Sequence, residues 1–381
     1  MPGPIRKMPR EIGRIGYQID DLLYSSFGLT VARVYSRFAI EPRIRYLSGA
    51  QTRQDRVAIY LIFPVQGLLQ SHFIALDHIL QSGYSPIVVS NLPLSAGDTE
   101  RLLHHCSTLI LRPNFGYDFG GYKDAVRFLG QDLHSLTKLA LFNDSNWFPV
   151  HPDHNWLAEA EAKGLDLVGS VSHGGLDNAQ PFDTTTEWRI DATRPRFHYG
   201  SFSLLLGPAI LHAPGFQDFW RQYRPANNKT QTILRGEIGF SQWVIRNGFT
   251  HGETLDARNL PALLADLPTE RLLQIAGNAV TFDRPRSNDT RRDVLLANPP
   301  DRNGLLHFIL KEVSKSGQAY SLQDFDTVER SGNFIKKSPV SLNRTAADQT
   351  LRILSHLTGP QIDVFRAEAL EIYRRKYGNP T

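Results

Sequence analysis

The chain has almost no cysteine and no long uninterrupted run of apolar residues. Its 381 residues include a single cysteine, Cys106, so no disulfide bond can form within the chain. No run of about 18 apolar residues occurs, and the N-terminus lacks the apolar segment of a secretory signal peptide, so we expect neither a transmembrane helix nor a cleaved leader. These absences favour a reducing compartment, and we predict a cytoplasmic location.

A large excess of one charge is also missing. The formal net charge is +4 and the isoelectric point is about 9.1, which is weak evidence for an anionic partner such as a nucleotide or an anionic membrane surface. No basic stripe with interleaved aromatic residues is present, so we expect no nucleic-acid partner. The chain also lacks the H-E-x-x-H helix of metalloproteases, the G-x-S-x-G turn of serine hydrolases and the G-x-G-x-x-G dinucleotide fingerprint. None of these enzyme classes is therefore favoured.

The chain does have an alternation of strand and helix patterns. Apolar residues make up 41% of the sequence, enough for a globular core. Apolar runs predict strands at residues 57–63, 86–90, 108–111, 138–142 and 165–170. Helical patterns between them predict an α/β fold, with a mostly parallel central sheet covered by helices on both faces. The predicted domains are a basic helical N-terminal lead-in (residues 1–52), a main domain (residues 53–340) and a helical C-terminal extension (residues 341–381).

The segment after the third predicted strand is the most informative in the chain. It reads Arg112-Pro113-Asn114-Phe115-Gly116-Tyr117-Asp118-Phe119-Gly120-Gly121-Tyr122, and a predicted helix follows from Lys123. Glycines at a strand-to-helix turn let a ligand approach the main chain, and the free N–H groups of the helix N-terminus suit a phosphate. A tight turn that needs glycine only for its shape is the alternative interpretation. The flanking Arg112, Asn114 and Asp118 favour a binding site.

A single acidic residue follows the fourth predicted strand, in Asn143-Asp144-Ser145. In such sheets ligands bind beyond the carboxyl ends of the strands, and hard oxygen ligands suit Mg²⁺ or Mn²⁺. Asp144 is therefore a candidate for holding a divalent cation or a diphosphate, and a cap of the following turn is the alternative. Asn143 and Ser145 flank this one acid, so the carboxylate pair of a typical cation site is absent and metal dependence stays open.

Two further residues are candidates for proton transfer or ligand contact. Glu237 lies just before a short predicted helix, residues 239–246, and has glycines close on either side. A carboxylate so placed suits a general base that takes a proton from a hydroxyl group, whereas an acid that only stabilises the helix N-terminus is the alternative. His198 enters a later predicted strand, where it would contact a phosphate, a metal ion or a sugar, or serve as a structural histidine.

Five segments in a fixed order resemble the rhamnan synthesis F family of bacterial glycosyltransferases, over about residues 55–340. They are the first strand and helix from Val57 to Gly83, the turn from Arg112 to Lys123, the strand end from Leu141 to Ser145, the segment from His198 to Phe202 with the helix from Gly215 to Trp220, and the segment from Glu237 to Ser241. A later echo, Asn298-Pro299 with Asn333-Phe334-Ile335-Lys336-Lys337, resembles the closing segment of the family.

The resemblance implies a GT-A-like αβα sandwich and a hexosyltransferase. Inversion or retention of the anomeric configuration stays open, although a base at Glu237 favours inversion. The enzyme would move a sugar, often rhamnose, from a nucleoside-diphosphate sugar to a hydroxyl of a growing cell-surface polysaccharide or lipopolysaccharide glycan. Glu237 would be the catalytic base or a contact of the acceptor, and Asp144 would hold the diphosphate directly or through Mg²⁺ or Mn²⁺. The predicted donor-binding residues are Arg112, Asn114, Gly116, Asp118, Gly120, Lys123, Asn143 and His198.

Two other functions stay open at this point. A non-catalytic nucleotide- or carbohydrate-binding component of a polysaccharide assembly complex would bind the donor without turnover. A phosphohydrolase using Asp144 would release phosphate without an acceptor. For the transferase, the predicted partners are the nucleotide-sugar donor and a glycan or lipid-linked saccharide acceptor. The basic lead-in would dock the enzyme peripherally at the inner face of the membrane.

Overall fold

A computed structural model describes residues 28–176, 188–280, 295 and 300–379. The apolar positions of the lead-in up to Phe27, and the Asn298-Pro299 pair, lie outside the described residues.

One eight-stranded sheet organises the described part of the chain, in the order β1-β4-β3-β2-β5-β10-β7-β11. The strands are β1 (Arg45–Ser48), β2 (Arg56–Ile62), β3 (Ser85–Ser90), β4 (Thr108–Leu111), β5 (Lys138–Asn143), β6 (Asn146–Trp147), β7 (Leu167–Gly169), β8 (Ser172–His173), β9 (His198–Tyr199), β10 (Ser203–Leu206), β11 (His251–Glu253) and β12 (Ile335–Lys336). Strands β4, β3, β2 and β5 are parallel neighbours, as are β7 and β11, whereas β1 and β10 run antiparallel to their neighbours. Two short ribbons, β6 with β12 and β8 with β9, lie outside this sheet.

The four central parallel strands, β2 to β5, are buried on both faces, which fits their mostly apolar sequences. Along β2, Val57, Ile59 and Leu61 join one hydrophobic cluster, while the alternate residues Ala58, Tyr60 and Ile62 join another. The first cluster includes the inner faces of helices 117–129, 214–222 and 239–246, and the second those of helices 70–81, 96–105 and 156–162. The predicted αβα sandwich with a mostly parallel central sheet is confirmed.

Helices flank the sheet and form both ends of the described chain. They are α1 (Leu29–Tyr35), α2 (Gln70–Gln81), α3 (Ala96–His105), α4 (Tyr117–Leu129), α5 (Trp156–Ala162), α6 (Pro208–Leu211), α7 (Pro214–Gln222), α8 (Lys229–Thr232), α9 (Gly239–Arg246), α10 (Leu260–Ala265), α11 (Thr269–Asn278), α12 (Arg302–Ser316), α13 (Gln318–Ser321), α14 (Gln323–Val328), α15 (Ser338–Leu342), α16 (Arg344–His356) and α17 (Pro360–Tyr377). Short π-helical turns span Ser36–Ile40 and Ile233–Ile238, and 3₁₀ turns span Glu41–Arg43, Gly130–Ser135 and Ala257–Asn259. Within the described ranges, no helix combines the length and the apolarity that crossing a bilayer requires.

Two boundaries near the predicted site differ from the sequence-based expectation. Helix α4 begins at Tyr117 rather than at Lys123, so Asp118 and Gly120 belong to its first turns and not to a loop. Glu237 lies inside the π-helical turn that runs directly into α9, and not in a loop before that helix. In both places helical residues continue through glycines that sequence reasoning assigns to turns.

The C-terminal helices pack against the ribbon that follows β5. Residues of α16 and α17 form one cluster with Trp147 and Val150, and with Ile335 of β12. Glu368 of α17 accepts hydrogen bonds from Ser71 N at 2.9 Å and from Trp147 Nε1 at 2.9 Å. The C-terminal extension therefore supports the edge of the sheet where β5 ends, although the boundary between it and the main domain stays a prediction.

Candidate active site

A cleft of about 1110 Å³ opens at the carboxyl ends of the parallel strands. Phe63 follows β2, Asn91 follows β3, and Asp144 follows β5, and all three line it. This is where an open α/β sheet places its ligands, because the loops that leave the strands diverge there. The opposite wall comes from the turn before β10, from the π-helical turn that carries Glu237 and from β12.

Two carboxylates meet at one hydroxyl group inside this cleft. The hydroxyl of Ser201 lies 2.8 Å from Asp118 Oδ2 and 2.5 Å from Glu237 Oε1. Tyr122 fixes Ser201 by donating its phenolic hydrogen to the Ser201 carbonyl at 2.9 Å. The backbone N–H of Phe119 and the side-chain amide of Asn143 also donate to Asp118, at 3.0 and 3.4 Å. Asp118 is thus held rigidly, with its carboxylate directed at Glu237.

Both carboxyl groups bind protons more tightly than a solvent-exposed carboxyl group does. Burial, and next the negative charge of Glu237, raise the pKa of Asp118 to about 6 against the lowering effect of its hydrogen bond from Ser201. Burial likewise raises the pKa of Glu237, opposed by Ser201 and by the charges of Lys336 and Lys229. Since one hydroxyl has one hydrogen to donate, a proton held on one of the carboxyl groups completes the network.

His198 borders this pair on the side of Glu237. Its Nδ1 donates to the carbonyl of Arg196 at 2.8 Å, because a carbonyl can only accept. This leaves Nε2 directed at Glu237 Oε2, 3.6 Å away. Burial lowers the pKa of His198, so the imidazole is neutral at pH 7, and its Nε2 can accept a proton from Glu237 or from a ligand.

Asp144 lies on the other wall and is already engaged within the protein. Its Oδ2 accepts a hydrogen bond from Phe63 N at 2.7 Å and lies 3.3 Å from His72 Nε2. His72 Nδ1 accepts from Leu69 N at 3.1 Å, which places the imidazole hydrogen on Nε2, facing Asp144. Burial acts to raise the pKa of Asp144, but the contacts with His72, the charge of Lys337 and the Phe63 N–H lower it. Asp144 is therefore a stable anion at pH 7.

Two lysines project into the cleft from the segment that begins with β12. Lys336 Nζ lies 3.8 Å from the centre of the Phe202 ring and 3.4 Å from Ser145 Oγ. Lys337 Nζ donates to Ser71 Oγ at 3.1 Å. Burial lowers the pKa of Lys336 to about 8 despite the opposing charges of Glu237 and Asp118, so its ammonium group is still mostly charged at pH 7. The cleft thus combines one carboxylate pair with two buried cations.

A model of the family described as rhamnan synthesis protein F matches residues 86–278, which are about half of the chain. The chain belongs to this family. The resemblance inferred from the ordered segments is thereby confirmed. The match includes Asp118, Asp144, His198 and Glu237 but ends before the two lysines of the cleft.

One relative and two solved structures extend the comparison for this rhamnan synthesis F protein. The uncharacterized protein y4gN of Sinorhizobium fredii (strain NBRC 101917 / NGR234) is 30% identical over 232 residues, which cover 61% of this chain and 56% of that protein. The chain thus spans about half the length of this curated relative. The mannosyltransferase PcManGT of Pyrobaculum calidifontis, in complex with GDP-Man and Mn²⁺, has a TM-score of 0.33 and 11% identity, covering 92% of this chain and 94% of that chain. Residues 1–349 of TarS from S. aureus have a TM-score of 0.30 and 10% identity, covering 84% of this chain and 89% of that chain.

Six of the predicted site residues of this rhamnan synthesis F protein line the cleft together. They are Asn114, Asp118, Asn143, Asp144, His198 and Glu237. The other four, Arg112, Gly116, Gly120 and Lys123, do not line it. Of the candidate residues in the predicted turn, Asp118 and the exposed Asn114 therefore reach the cleft. The other candidates of this turn lie in the protein layer beneath the surface of the cleft.

Arg112 and Lys123 hold the protein interior together. Arg112 donates to Asp124 Oδ2 at 2.7 Å, to Asn91 Oδ1 at 2.5 Å and to the Phe115 carbonyl at 2.8 Å. Lys123 donates to the Tyr223 carbonyl at 2.7 Å. Both side chains are buried, so the predicted contact of either with a donor is not supported by its position. Their charges are used to fix the turn and its helix.

The two candidate glycines of the turn are needed for its shape. Gly116 has φ of +83°, and a Cβ there would lie 2.5 Å from Cβ of Pro225. A Cβ on Gly120 would lie 2.3 Å from the Phe115 carbonyl oxygen. For these two positions the alternative that the sequence left open, glycine for shape, is the one that the geometry supports.

The side chains near Asp144 do not make a typical divalent-cation site. Among the described residues, no three His, Cys, Asp or Glu side chains are grouped so that they could hold a metal ion. Asp144 Oδ2 is occupied by the contacts with Phe63 and His72, and Asn143 Oδ1 accepts from Ser145 N and Oγ at 3.2 and 2.6 Å. A metal-binding role for Asp144 stays a prediction that its surroundings do not favour.

Sequence reasoning missed Ser201, Lys336 and Lys337 as site residues. Ser201 and the two lysines belong to segments quoted for the family resemblance, but a lone serine or lysine has no spacing pattern that marks it. The register of β12 with β6, which pairs Lys336 with Asn146, brings the lysines beside the strand end that carries Asp144. Only this long-range pairing reveals them.

Proposed function

We propose that this protein is a glycosyltransferase that moves a sugar from a nucleoside-diphosphate sugar to a hydroxyl of a growing cell-surface polysaccharide or lipopolysaccharide glycan. Membership of the rhamnan synthesis protein F family supports this class of reaction, and the family name makes rhamnose the first sugar to test. The observation that carries the proposal is the Asp118–Ser201–Glu237 cluster at the carboxyl edge of the sheet, which lines one cleft together with Lys336 and Lys337.

The cleft has the parts that a displacement at the anomeric carbon needs. The oxygen of the acceptor hydroxyl forms a bond to the anomeric carbon while the bond from that carbon to the diphosphate oxygen breaks. The hydroxyl proton passes to the carboxylate of Glu237, and the electron pair of the broken bond leaves with the nucleoside diphosphate. Attack from the face opposite the leaving group inverts the configuration, so the proposal includes inversion and a hexose donor.

Asp118 and His198 act on Glu237 in this scheme. When the Ser201 hydroxyl donates to Glu237, it keeps that carboxyl ionised and ready to accept the proton of the acceptor, while Asp118 positions the hydroxyl from its other side. Neutral His198 then lies beside Glu237 Oε2 at 3.6 Å and can relay that proton to solvent. General-base catalysis of this kind contributes about 10²–10⁴-fold to a rate.

A screen with nucleotides followed by a transfer assay tests the proposal. Purified protein is melted with each common nucleoside diphosphate and its sugars, and we expect one nucleotide family to raise the melting temperature selectively, because a ligand of the folded state stabilises it. The selected donor is then incubated with acceptor glycan, and Glu237→Gln should lower transfer by about 10²-fold or more without removing donor binding. Transfer that is equally fast in Glu237→Gln, or no response to any nucleotide, would contradict the proposal.

We also propose that the protein works in the cytoplasm, at the inner face of the membrane. The π-helical turn and the helix before it expose Val31, Val34 and Phe38, whose relative exposures are 64%, 53% and 72%. Arg33 and Arg37 are exposed on the same segment. Apolar side chains interleaved with arginines suit the interface of an anionic bilayer, where a lipid-linked acceptor would be found.

A further inference from the structure

The ammonium groups of Lys336 and Lys337 are placed in the cleft by backbone pairing and not by chance extension of long side chains. Lys336 pairs with Asn146 in the ribbon formed by β12 and β6. Lys337 N donates to the Ser145 carbonyl at 2.9 Å. Both lysines are therefore fixed directly beside the turn that follows Asp144, on the floor of the cleft.

Within the described part of the chain, neither cation has a carboxylate group in direct contact. Among the described residues, the groups that contact the ammonium of Lys336 are the Ser145 hydroxyl and the rings of Phe202 and Tyr320. Those that contact the ammonium of Lys337 are the Ser71 hydroxyl and the ring of Trp147. A buried ammonium group that is held only by hydroxyls and ring faces retains donors and most of its charge for an anionic ligand.

The chemistry of the proposed reaction requires positive charge at this place. A nucleoside diphosphate gains one negative charge when the bond to the sugar breaks, and this charge must be stabilised as it develops. A divalent cation would supply two positive charges, but among the described residues no group of three His, Cys, Asp or Glu side chains that could hold a metal ion includes Asp144. Two lysines supply the same number of charges.

We propose that Lys336 and Lys337 bind the diphosphate of the donor and neutralise it as it leaves, so that donor binding does not depend on a divalent cation. This inference rests on the proposed function and names the groups that would replace the metal ion. Lys336 contacts the Ser145 hydroxyl and is attracted by the charges of Glu237 and Asp118, while Lys337 is attracted by those of Asp144 and Glu368, so both ammonium groups line the cleft beside the turn after β5. Asp144 then orients His72 and attracts Lys337 rather than coordinating a metal.

Calorimetric titration with nucleoside diphosphates tests this directly. UDP, GDP, dTDP, CDP and ADP are titrated into the full-length protein in EDTA, and again with MnCl₂ or MgCl₂. We expect the preferred nucleotide to bind with the same Kd, within about twofold, in all three buffers. Lys336→Met and Lys337→Met should each weaken that binding about tenfold or more, since each removes a hydrogen bond to a charged group. Lys336→Arg and Lys337→Arg, which keep the charge, should recover part of the loss.

A second comparison separates phosphate binding from general damage. The nucleoside without phosphates should bind wild type and both Met variants alike, because the lysines contact only the diphosphate. Lys311→Met, on helix Arg302–Ser316 and away from the cleft, should change neither affinity. If a Met variant melts at a much lower temperature, the comparison of EDTA with Mn²⁺ on the wild type still decides the inference.

A failure of this inference can be told apart from a failure of the proposed function. Binding that disappears in EDTA, returns with Mn²⁺ and is unchanged in the Met variants would overturn this inference and leave the glycosyltransferase proposal standing. Absence of binding by every nucleotide in every buffer would overturn the proposed function and the inference with it.

Discussion

Asp118 and Glu237 both lie within hydrogen-bond distance of one hydroxyl, that of Ser201, at 2.8 and 2.5 Å. The two acids come from different helical segments, Asp118 from the first turn of α4 and Glu237 from the π-helical turn before α9. Their meeting is therefore a product of the fold. Because the hydroxyl has a single hydrogen, the pair has to share protons, and it titrates as a unit.

The first prediction is a pH profile of the transfer rate. Its acidic limb, the fall in rate at low pH, is caused by proton uptake at Asp118 and Glu237. The pKa of Asp118 is raised to about 6, and that of Glu237 is also raised. Glu237 has to be ionised to act as the base, and the two carboxyl groups titrate together, so kcat/KM for transfer should fall as the pH falls through the pKa of Asp118, about 6, where the pair takes up a proton, and level off above it. Ser201→Ala removes a hydrogen bond that lowers both pKa values, so its acidic limb should move to higher pH. The measurement is kcat/KM against pH for both proteins.

Ser203→Ala is the matched control for this profile. The Ser203 hydroxyl is buried in the sheet, where it donates to Ser170 Oγ at 2.6 Å, and it does not line the cleft. Its removal should leave the acidic limb in place. A wild-type rate that is constant through pH 6, or a limb that does not move in Ser201→Ala, would refute the assignment of the limb to this pair.

The second prediction concerns stability at neutral pH. A carboxyl whose pKa is higher in the folded than in the unfolded state binds its proton more tightly when folded, so the free energy of unfolding falls as the pH rises toward the folded pKa. Asp118→Asn removes this penalty and should raise the free energy of unfolding at pH 7 by up to about 2 kcal/mol, while it impairs transfer. Urea denaturation at pH 7 and at pH 4.5 measures it, and the gain should shrink at the lower pH.

Glu253→Gln provides the control, because Glu253 is buried outside the cleft with a pKa raised by burial to about 7. It should be stabilising at pH 7 in the same way but leave transfer unchanged. An Asp118→Asn protein that is less stable than wild type at pH 7 would show that the charged pair is favourable.

The third prediction separates two costs of adding a side chain at a glycine near α4. One is the strain of a positive φ angle, and the other is a steric clash with a neighbouring residue. Gly116 and Gly130 both have positive φ, +83° and +49°, but only at Gly116 does an added Cβ meet another atom, Cβ of Pro225 at 2.5 Å. Gly130→Ala should cost about 1 kcal/mol from its backbone conformation. Gly116→Ala should cost about 1–3 kcal/mol more because the contact with Pro225 has to open. Equal losses of unfolding free energy in urea denaturation would mean that the turn moves away from Pro225 without a further loss of stability.

Strands β2, β3, β4, β5 and β7 could be predicted from the sequence, whereas β1, β11 and the start of α4 could not. Runs such as residues 57–63 are apolar without interruption, which is typical of strands buried on both faces. Gly120 and Gly121 suggest a turn, yet both lie in α4. A Cβ at Gly121 would meet Leu61 Cδ1 at 2.1 Å, so a larger residue would not fit there. Glycine here allows the helix to pack closely on β2, and this requirement is visible only in three dimensions.

The candidate site was predictable in part for the same reason. Asp118, Asp144 and Glu237 stand at the ends of recognisable elements, and all three reach the cleft. Arg112 precedes the same glycines, but its guanidinium turns inward to Asp124. A local sequence pattern places a residue near a turn and does not tell on which side of the wall its side chain lies.

The fourth prediction compares Arg112, whose side chain is buried inside the protein, with Asn114, whose side chain lines the cleft. Arg112→Ala leaves buried Asp124 without its partner and should destabilise the fold by about 3–5 kcal/mol. Asn114→Ala, at an exposed residue of the cleft, should change stability by less than about 0.5 kcal/mol and lower donor affinity instead. Urea denaturation and nucleotide titration of both variants check this. An Arg112→Ala protein of normal stability that fails to bind nucleotide would restore Arg112 as a donor-binding residue.

The last prediction tests docking at the membrane through the exposed apolar residues Val31, Val34 and Phe38. Replacing all three with serine removes the side chains that would enter the acyl boundary, so binding to vesicles of phosphatidylcholine with phosphatidylserine should weaken about tenfold or more. Leu263→Ser, at a residue that is 40% exposed on another helix, is the matched control and should bind as wild type does. Cosedimentation measures the bound fraction, and added salt should weaken wild-type binding because arginines contribute. Wild type that does not bind these vesicles, or a triple variant that binds as wild type does, would count against membrane docking through this segment.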